Sequence, residues 1–275
     1  MKKTFQFIGI IILMCFSFYY TDRMVQFSKN HDPLMEQIVS KQDDFNTYAL
    51  ESVSYDDYVL SGTKGKVVDV NESYKKMKSL GKYNENLLIF VDDLPSMVVS
   101  NNLDKFVVGV NTTKNDISLA FLVRDDSLIS SVLDILNDNG VRANFFIDNK
   151  IEDDVVRDVV LGNHYIANLG DDEDYSGVIK SNARLKKYTN YDIKYCYSSD
   201  LNYEVLNTCK KNKMSTVKAK YVYDNYLYEN MKSNLSKGNV YALEINNYIV
   251  NELDMTLKYV KQKGYSFKKF DEFFI

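Results

Sequence analysis

The chain has no tryptophan, two prolines, three cysteines and only two histidines among 275 residues, and it carries no excess of positive charge. Each shortage removes something. A net charge of −4 leaves no basic field to draw nucleic acid. Two histidines cap any metal centre, because a two-histidine site would need both. His31 lies about ten residues past an apolar N-terminal run, too far out to join His164. Cys15 lies in that run, so Cys196 and Cys209 are the only other possible pair. The shortage of tryptophan and proline, beside 22 tyrosines, reads as the bias of an AT-rich genome. What remains is ordinary for a folded protein: 45% apolar and 26% charged, long enough for one large domain plus an extension.

The one long apolar run is "FQFIGIIILMCFSFYY", Phe5 to Tyr20, behind Lys2 and Lys3. It sits near the short end for a membrane span, where about 20 residues is typical. A cleaved signal peptide needs small residues at the cut, and "FYYTDR" has none. A lipoprotein needs a small residue before Cys15, and Met14 stands there. The reading is an uncleaved anchor over residues 1–22, with the lysines cytoplasmic and the rest of the chain outside. Residues 23–60 read as a juxtamembrane stalk with a helix in "DPLMEQIVSKQDDF". Residues 61–110 read as a small β-rich extension.

From residue 111 the pattern becomes regular. "DISLAFLV", "VRANFFI", "HYIAN", "IKYCYS", "MSTVKA", "NVYALEIN" and "YSFKKF" read as strands. Amphipathic helices separate them, beginning with "DSLISSVLDILNDNG". Strict alternation implies parallel strands with right-handed crossovers, in an open doubly wound sheet or a closed barrel. "AFLVRDDSL" lacks the glycine turn that would cradle a phosphate, which favours the barrel. In either case the chemistry belongs at the C-terminal ends of the strands.

Five segments in this order resemble the polysaccharide deacetylase family (carbohydrate esterase family four, the NodB homology domain): "DISLAFLV", "VLDILNDNGVRANFF", "GNHYIANLG", "KGNVYALEI" and "TLKYVKQKGYSFKKFDEFF". The resemblance covers residues 111–275 and implies a distorted (β/α)7 barrel. It also implies metal-assisted removal of acetyl groups from N-acetylated sugars, commonly with zinc. The residues for that chemistry are missing. Leu122 stands at the family's base position and Val123 at its metal-ligand aspartate. Leu169 and Glu173 stand at its two metal histidines, and Glu244 at its late acid histidine. Tyr197 and Ser198 stand where an arginine–proline pair is expected. No cofactor is therefore expected, since the family's metal ligands are not retained.

The individual residues keep competing readings. His164 is a ligand together with Asp171, Asp172 or Glu173, or a partly exposed residue at a strand start. "DDEDY" is a calcium loop, or an acidic helix N-terminus favoured by the dipole. Asp125 and Asp126 are displaced stand-ins for the lost aspartates, or Asp126 or Ser127 caps the next helix. Glu244 is a sugar-binding or acid group without a visible partner, or structural. Together with Tyr197, Asp125 and Asp126 it outlines a candidate groove. The tyrosines around residues 195–228 stack on sugar rings or simply pack. Cys196 faces the helix layer if Tyr195 and Tyr197 face the interior, and with Cys209 it forms a disulfide or two buried thiols.

The expected protein is a membrane-anchored, extracytoplasmic relative of the deacetylases that lacks catalysis and binds or organises cell-wall glycan such as peptidoglycan. The alternatives are a residual hydrolase of a carbon–nitrogen bond, acting through Glu244, Asp125 or Asp126, and a structural partner of another envelope protein through residues 61–110.

Overall fold

A computed structural model describes residues 11–21, 23, 24, 27 and 31–275. The start of the expected anchor lies outside the described residues, and residues 11–21 are helical. Among the described residues, no helix is long and apolar enough to cross a membrane.

The chain divides at other places than the sequence boundaries. One unit takes residues 1–48 and 65–93; the other takes residues 49–64 and 94–275. In the first unit, helices Pro33–Lys41 and Val70–Lys78 pack with an antiparallel pair, Gly65–Val68 and Phe90–Asp93. Leu34, Ile38, Val68, Tyr74, Met77 and Leu88 form its core. Asp32 caps the first helix through the Leu34 N–H at 2.9 Å and accepts from the Tyr74 hydroxyl at 2.7 Å. The segment expected as a stalk thus contributes to a packed unit.

The second unit is an eleven-stranded sheet with helices on its convex side. Its strands are β1 Val53–Ser54, β2 Tyr58–Ser61, β3 Phe106–Val110, β4 Asp116–Val123, β5 Asn144–Asp148, β6 Tyr165–Gly170, β7 Tyr195–Tyr197, β8 Ser215–Val217, β9 Tyr221–Tyr223, β10 Val240–Glu244 and β11 Ser266–Phe267. Its helices are α1 Ile129–Asp138, α2 Asp153–Leu161, α3 Val178–Leu185, α4 Tyr203–Lys211, α5 Leu227–Asn234, α6 Asn247–Gln262 and α7 Phe270–Phe273. The strand order is β1-β2-β3-β8-β7-β6-β5-β4-β10-β9, with β11 on β4. Every pair but β1–β2 is parallel.

The expected seven strands are all present, but they do not close on one another. β8 pairs with β3 instead of β10, and β9 covers the other side of β10. Segments expected in a separate extension therefore extend the main sheet, which forms a curled half-barrel. The end of β3 meets the turn before β10 without a ladder of strand pairing between them. The Val110 N–H donates to the Gly238 carbonyl at 2.8 Å, and the Gly238 N–H to Asp116 O at 2.7 Å. A Cβ at Gly109 would strike the Gly238 carbonyl, and one at Gly238 (φ +78°) would strike that of Val110. Only glycine permits this approach.

Alternation along the strands sorts the side chains. Ile117, Leu119, Phe121 and Val123 of β4 join the layer under the helices, while Ala120 and Leu122 point into the curl. Phe146, Ala167, Leu169, Tyr195, Tyr197 and Ala242 fill the same interior. Phe270, Phe273 and Phe274, on and just after α7, plug the end near the strand starts. That plug is tied down by polar groups. The Phe270 N–H donates to Asn144 Oδ1 at 2.7 Å, and Asn144 Nδ2 donates to Ser118 Oγ at 2.8 Å.

Candidate functional site

At the C-terminal ends of the strands, one cation organises the surface. Arg124 follows β4 directly. Its Nε donates to Asp172 Oδ1 at 2.6 Å, its Nη1 to Glu244 Oε2 at 2.5 Å and its Nη2 to Glu173 Oε1 at 3.3 Å. The three carboxylates come from the turn after β6 and the end of β10. Glu173 uses its second oxygen to accept from the Ser199 N–H at 2.9 Å and the Ser199 hydroxyl at 3.1 Å, which ties in the loop after β7.

Backbone conformation aims the acids. Asp172 and Glu173 are both left-handed, at φ 49° and 69°, a region in which non-glycine residues pay of order 1 kcal/mol each. Four hydrogen bonds hold them there. Asp171 and Asp174 exchange N–H to carbonyl bonds at 2.9 and 3.0 Å, Glu173 N–H bonds Leu169 O at 2.9 Å, and Asp172 N–H bonds Asp148 Oδ2 at 2.8 Å.

Electrostatics agree with the geometry. Burial alone would lower the Arg124 pKa, but the hydrogen bond to Asp172 and the Glu244 charge more than offset it and raise it. The Arg124 hydrogen bond holds the Asp172 carboxyl below its usual range. Burial raises that of Glu244, and the Arg124 charge only partly opposes this. Glu244 is thus costly to ionise in this position without the guanidinium.

Immediately below lie Leu122, 1% exposed, and Leu169, fully buried, both facing the curl. Val123 faces the helix layer instead. Tyr197 is also fully buried, so it belongs to the floor rather than an open groove, and its hydroxyl has no hydrogen-bond partner among the described residues. The residues do not fit the metal that the resemblance implies. Aliphatic side chains at 122, 123 and 169 have no lone pair to offer, and the guanidinium engages Glu173 and Glu244 where a cation would need them. Among the described residues, no group of three or more His, Cys, Asp or Glu is disposed to hold a metal ion.

Several expectations need correction. His164 is 5% exposed rather than partly exposed, because its Nδ1 accepts from the Ala143 N–H at 3.2 Å and its ring packs edge-on against Phe145. Asp126 and Ser127 do not cap α1. The helix begins at Ile129 after Leu128 with no side-chain cap, and the Asp125 carboxylate turns back to the Ser127 N–H and hydroxyl. Neither aspartate joins the Arg124 cluster. The "DDEDY" acids do not head α3, which starts at Val178 after Gly177; they form the tight turn that faces Arg124. Tyr221, Tyr223 and Tyr241 stack on one another and pack into the helix layer. Cys196 and Cys209 form a disulfide between β7 and α4 in that layer, which decides between the two readings. Arg124 is not among the candidates offered by the sequence, although an arginine directly after the first strand of a βα unit was the available signal.

His164 yields a pH prediction. Burial, with help from the Arg142 and Lys269 charges, lowers its pKa to about 4. A depressed base is neutral in the fold, so its stabilisation is complete above the unfolded value of about 6.5 and is lost as pH falls toward 4. That loss reaches about 3 kcal/mol. Urea unfolding at pH 7 and pH 4.5 should show a steeper acid loss in the wild type than in His164→Asn. Equal slopes would rule the assignment out.

No family model and no curated protein matches the sequence. Solved structures do match the fold. A CE4 family pseudoenzyme from Bacillus anthracis superposes at a TM-score of 0.67 with 18% identity, over 88% of this chain and 95% of that one. A mutant of that pseudoenzyme, described as having restored enzymatic activity, gives 0.67 over 87% and 97% at 18% identity. A family 4 carbohydrate esterase of Bacillus subtilis gives 0.53 with 20% identity, over 64% and 86%. The chain thus has the fold of the family 4 carbohydrate esterases, the polysaccharide deacetylases.

Proposed function

We propose that this protein is a non-hydrolytic polysaccharide-deacetylase-like protein that binds or organises cell-wall glycan from the outer side of the cell membrane. The observation that carries the loss of hydrolysis is the Arg124 guanidinium, bonded to Asp172, Glu173 and Glu244 over Leu122 and Leu169. A fixed protein cation stands among the groups that would have to bind metal and move protons. Binding is supported by two exposed rings, Tyr226 on the loop after β9 at 69% exposure and Tyr248 in the first turn of α6, just after β10, at 71%. The two segments are joined by Asn246, the cap of α6, whose Nδ2 donates to Asp224 O at 2.7 Å, and exposed tyrosine rings stack on sugar faces. The disulfide fits an oxidising compartment. Lys2, Lys3 and the apolar run to Tyr20 support the anchor.

The full chain should release no acetate from N-acetylated chitin oligomers or peptidoglycan with zinc, cobalt or manganese added. It should be retained on insoluble peptidoglycan, and Tyr226→Ala with Tyr248→Ala should reduce retention. Acetate release abolished by Glu244→Gln would establish the residual hydrolase instead. Absence of retention would remove the glycan role.

A further inference from the structure

The rim around Arg124 carries a charge pattern that bears on the kind of sugar. Six loops lead from the C-terminal ends of β4, β5, β6, β7, β9 and β10 into the next helix. Together they hold nine carboxylates and two cations, Arg124 and Lys150. That excess of seven is larger than the excess of four in the whole chain, so negative charge is gathered at this end. Both cations are already engaged, Arg124 by Asp172, Glu173 and Glu244, and Lys150 by Asp171 at 3.3 Å. Asp125, Asp126, Asp174, Asp200 and Asp224 are exposed, and among the described residues none of them has an ion pair. A rim of one sign concentrates ligands of the opposite sign.

Two acceptors inside the rim lack partners. Tyr197 is fully buried, faces the curl, and leaves its hydroxyl unbonded among the described residues. Burial, followed by the charges of Glu173 and Glu244, raises its pKa, so the phenol lies in the field of those carboxylates. A buried hydroxyl without a partner is a deficit that a ligand can remove. Glu244 bonds Arg124 through Oε2, and among the described residues its Oε1 has no partner. The Glu244 side chain keeps 32% exposure. Burial raises its carboxyl, and a second positive charge beside it would hold it ionised.

These groups select the class of ligand. An ammonium carries one positive charge and three N–H donors. Unlike a metal ion it needs no shell of carboxylates; one free oxygen and one hydroxyl suit it. The exposed rings lie on the same segments, Tyr226 two residues after Asp224 and Tyr248 four after Glu244. A sugar ring bearing an ammonium uses the charge and the ring faces together. An N-acetylated sugar would use only the rings, and a basic peptide would need only the charge.

We infer that this face binds glycan whose amino sugars carry free amines, in preference to N-acetylated glycan, an inference that rests on the glycan reading above. The probes are chitotriose with its amines free, tri-N-acetylchitotriose and pentalysine. Binding to the full chain is measured by titration calorimetry at pH 6, in low and in high salt. The free-amine trimer should bind at least about tenfold more tightly than the acetylated one, and high salt should shrink the difference. The Asp126→Asn, Asp200→Asn, Asp224→Asn triple variant should lose most of the preference. Among the described residues these aspartates accept hydrogen bonds only at their backbone carbonyls, so the fold is kept. Tyr197→Phe removes an oxygen that the protein leaves unbonded, and should weaken the free-amine trimer about fivefold, the worth of one neutral hydrogen bond. Equal or tighter binding of the acetylated trimer overturns the inference and leaves the glycan reading standing. Binding of neither trimer also overturns it, and only loss of peptidoglycan retention as well would remove the glycan reading. Tighter binding of pentalysine overturns it in favour of a basic peptide, and unchanged binding in either variant overturns it outright.

Discussion

Replacing Arg124 by glutamine lowers the unfolding free energy by about 3 kcal/mol at pH 7, the lower end of what removing one member of a buried ion pair costs. The lower end applies because the Arg124 side chain keeps 31% exposure and Asp172 keeps 61%. What the substitution leaves behind matters more than what it removes. Asp172, Glu173 and Glu244 would face one another with no cation, and the Glu244 carboxyl is already raised by burial. Without Arg124 it rises further. A carboxyl raised above its unfolded value favours the fold when protonated, and that contribution is lost as pH rises through the folded pKa. The loss of stability on substitution is therefore smaller at pH 5 than at pH 7. Urea unfolding of the variant and the wild type at both pH values reads this. An equal loss at both pH values, or none, would sink the account of the cluster.

The second large effect is expected at the other end of the interior. Phe270→Ala should cost about 3–5 kcal/mol, the range for deleting a buried phenylalanine. Phe270 is fully buried. Its ring meets Phe274 at 5.0 Å, Tyr195 at 5.3 Å, Phe146 at 5.6 Å and Tyr165 at 6.1 Å between centroids. Its N–H is held by Asn144, so the backbone stays in place and the surroundings cannot collapse into the gap. Phe270→Leu keeps most of the volume and should cost less than about 1.5 kcal/mol. Denaturation midpoints of the two variants check this; a loss under about 1 kcal/mol for alanine would mean that the plug is loosely packed.

These effects separate what was legible in the sequence from what was not. The parallel strands of residues 111–275 could be read because their signal is local. Side chains alternate faces with a period of two, so "DISLAFLV" already sorts Leu122 from Val123. The same rule placed Cys196 opposite Tyr195 and Tyr197, and the structure puts them in different layers. The helix cap at Asp126 or Ser127 was misjudged because Asp125 competes locally for the same backbone, in a short turn of its own. His164 was misjudged because an edge contact to Phe145 and a bond from Ala143 bury it, and neither neighbour is near it in sequence.

By itself the sequence determined the alternating α/β pattern, the aliphatic residues at positions 122, 123 and 169, and the cysteine pair available for bonding. Only the tertiary structure decided where the sheet ends. β3 takes the edge of β8 and β9 the edge of β10, and pairing between distant strands leaves no mark in local periodicity. It alone decided that the empty metal positions are answered by a cation. Arg124 meets Glu173 across 49 residues and Glu244 across 120, an arrangement that exists only once three strands have brought their C-terminal ends together.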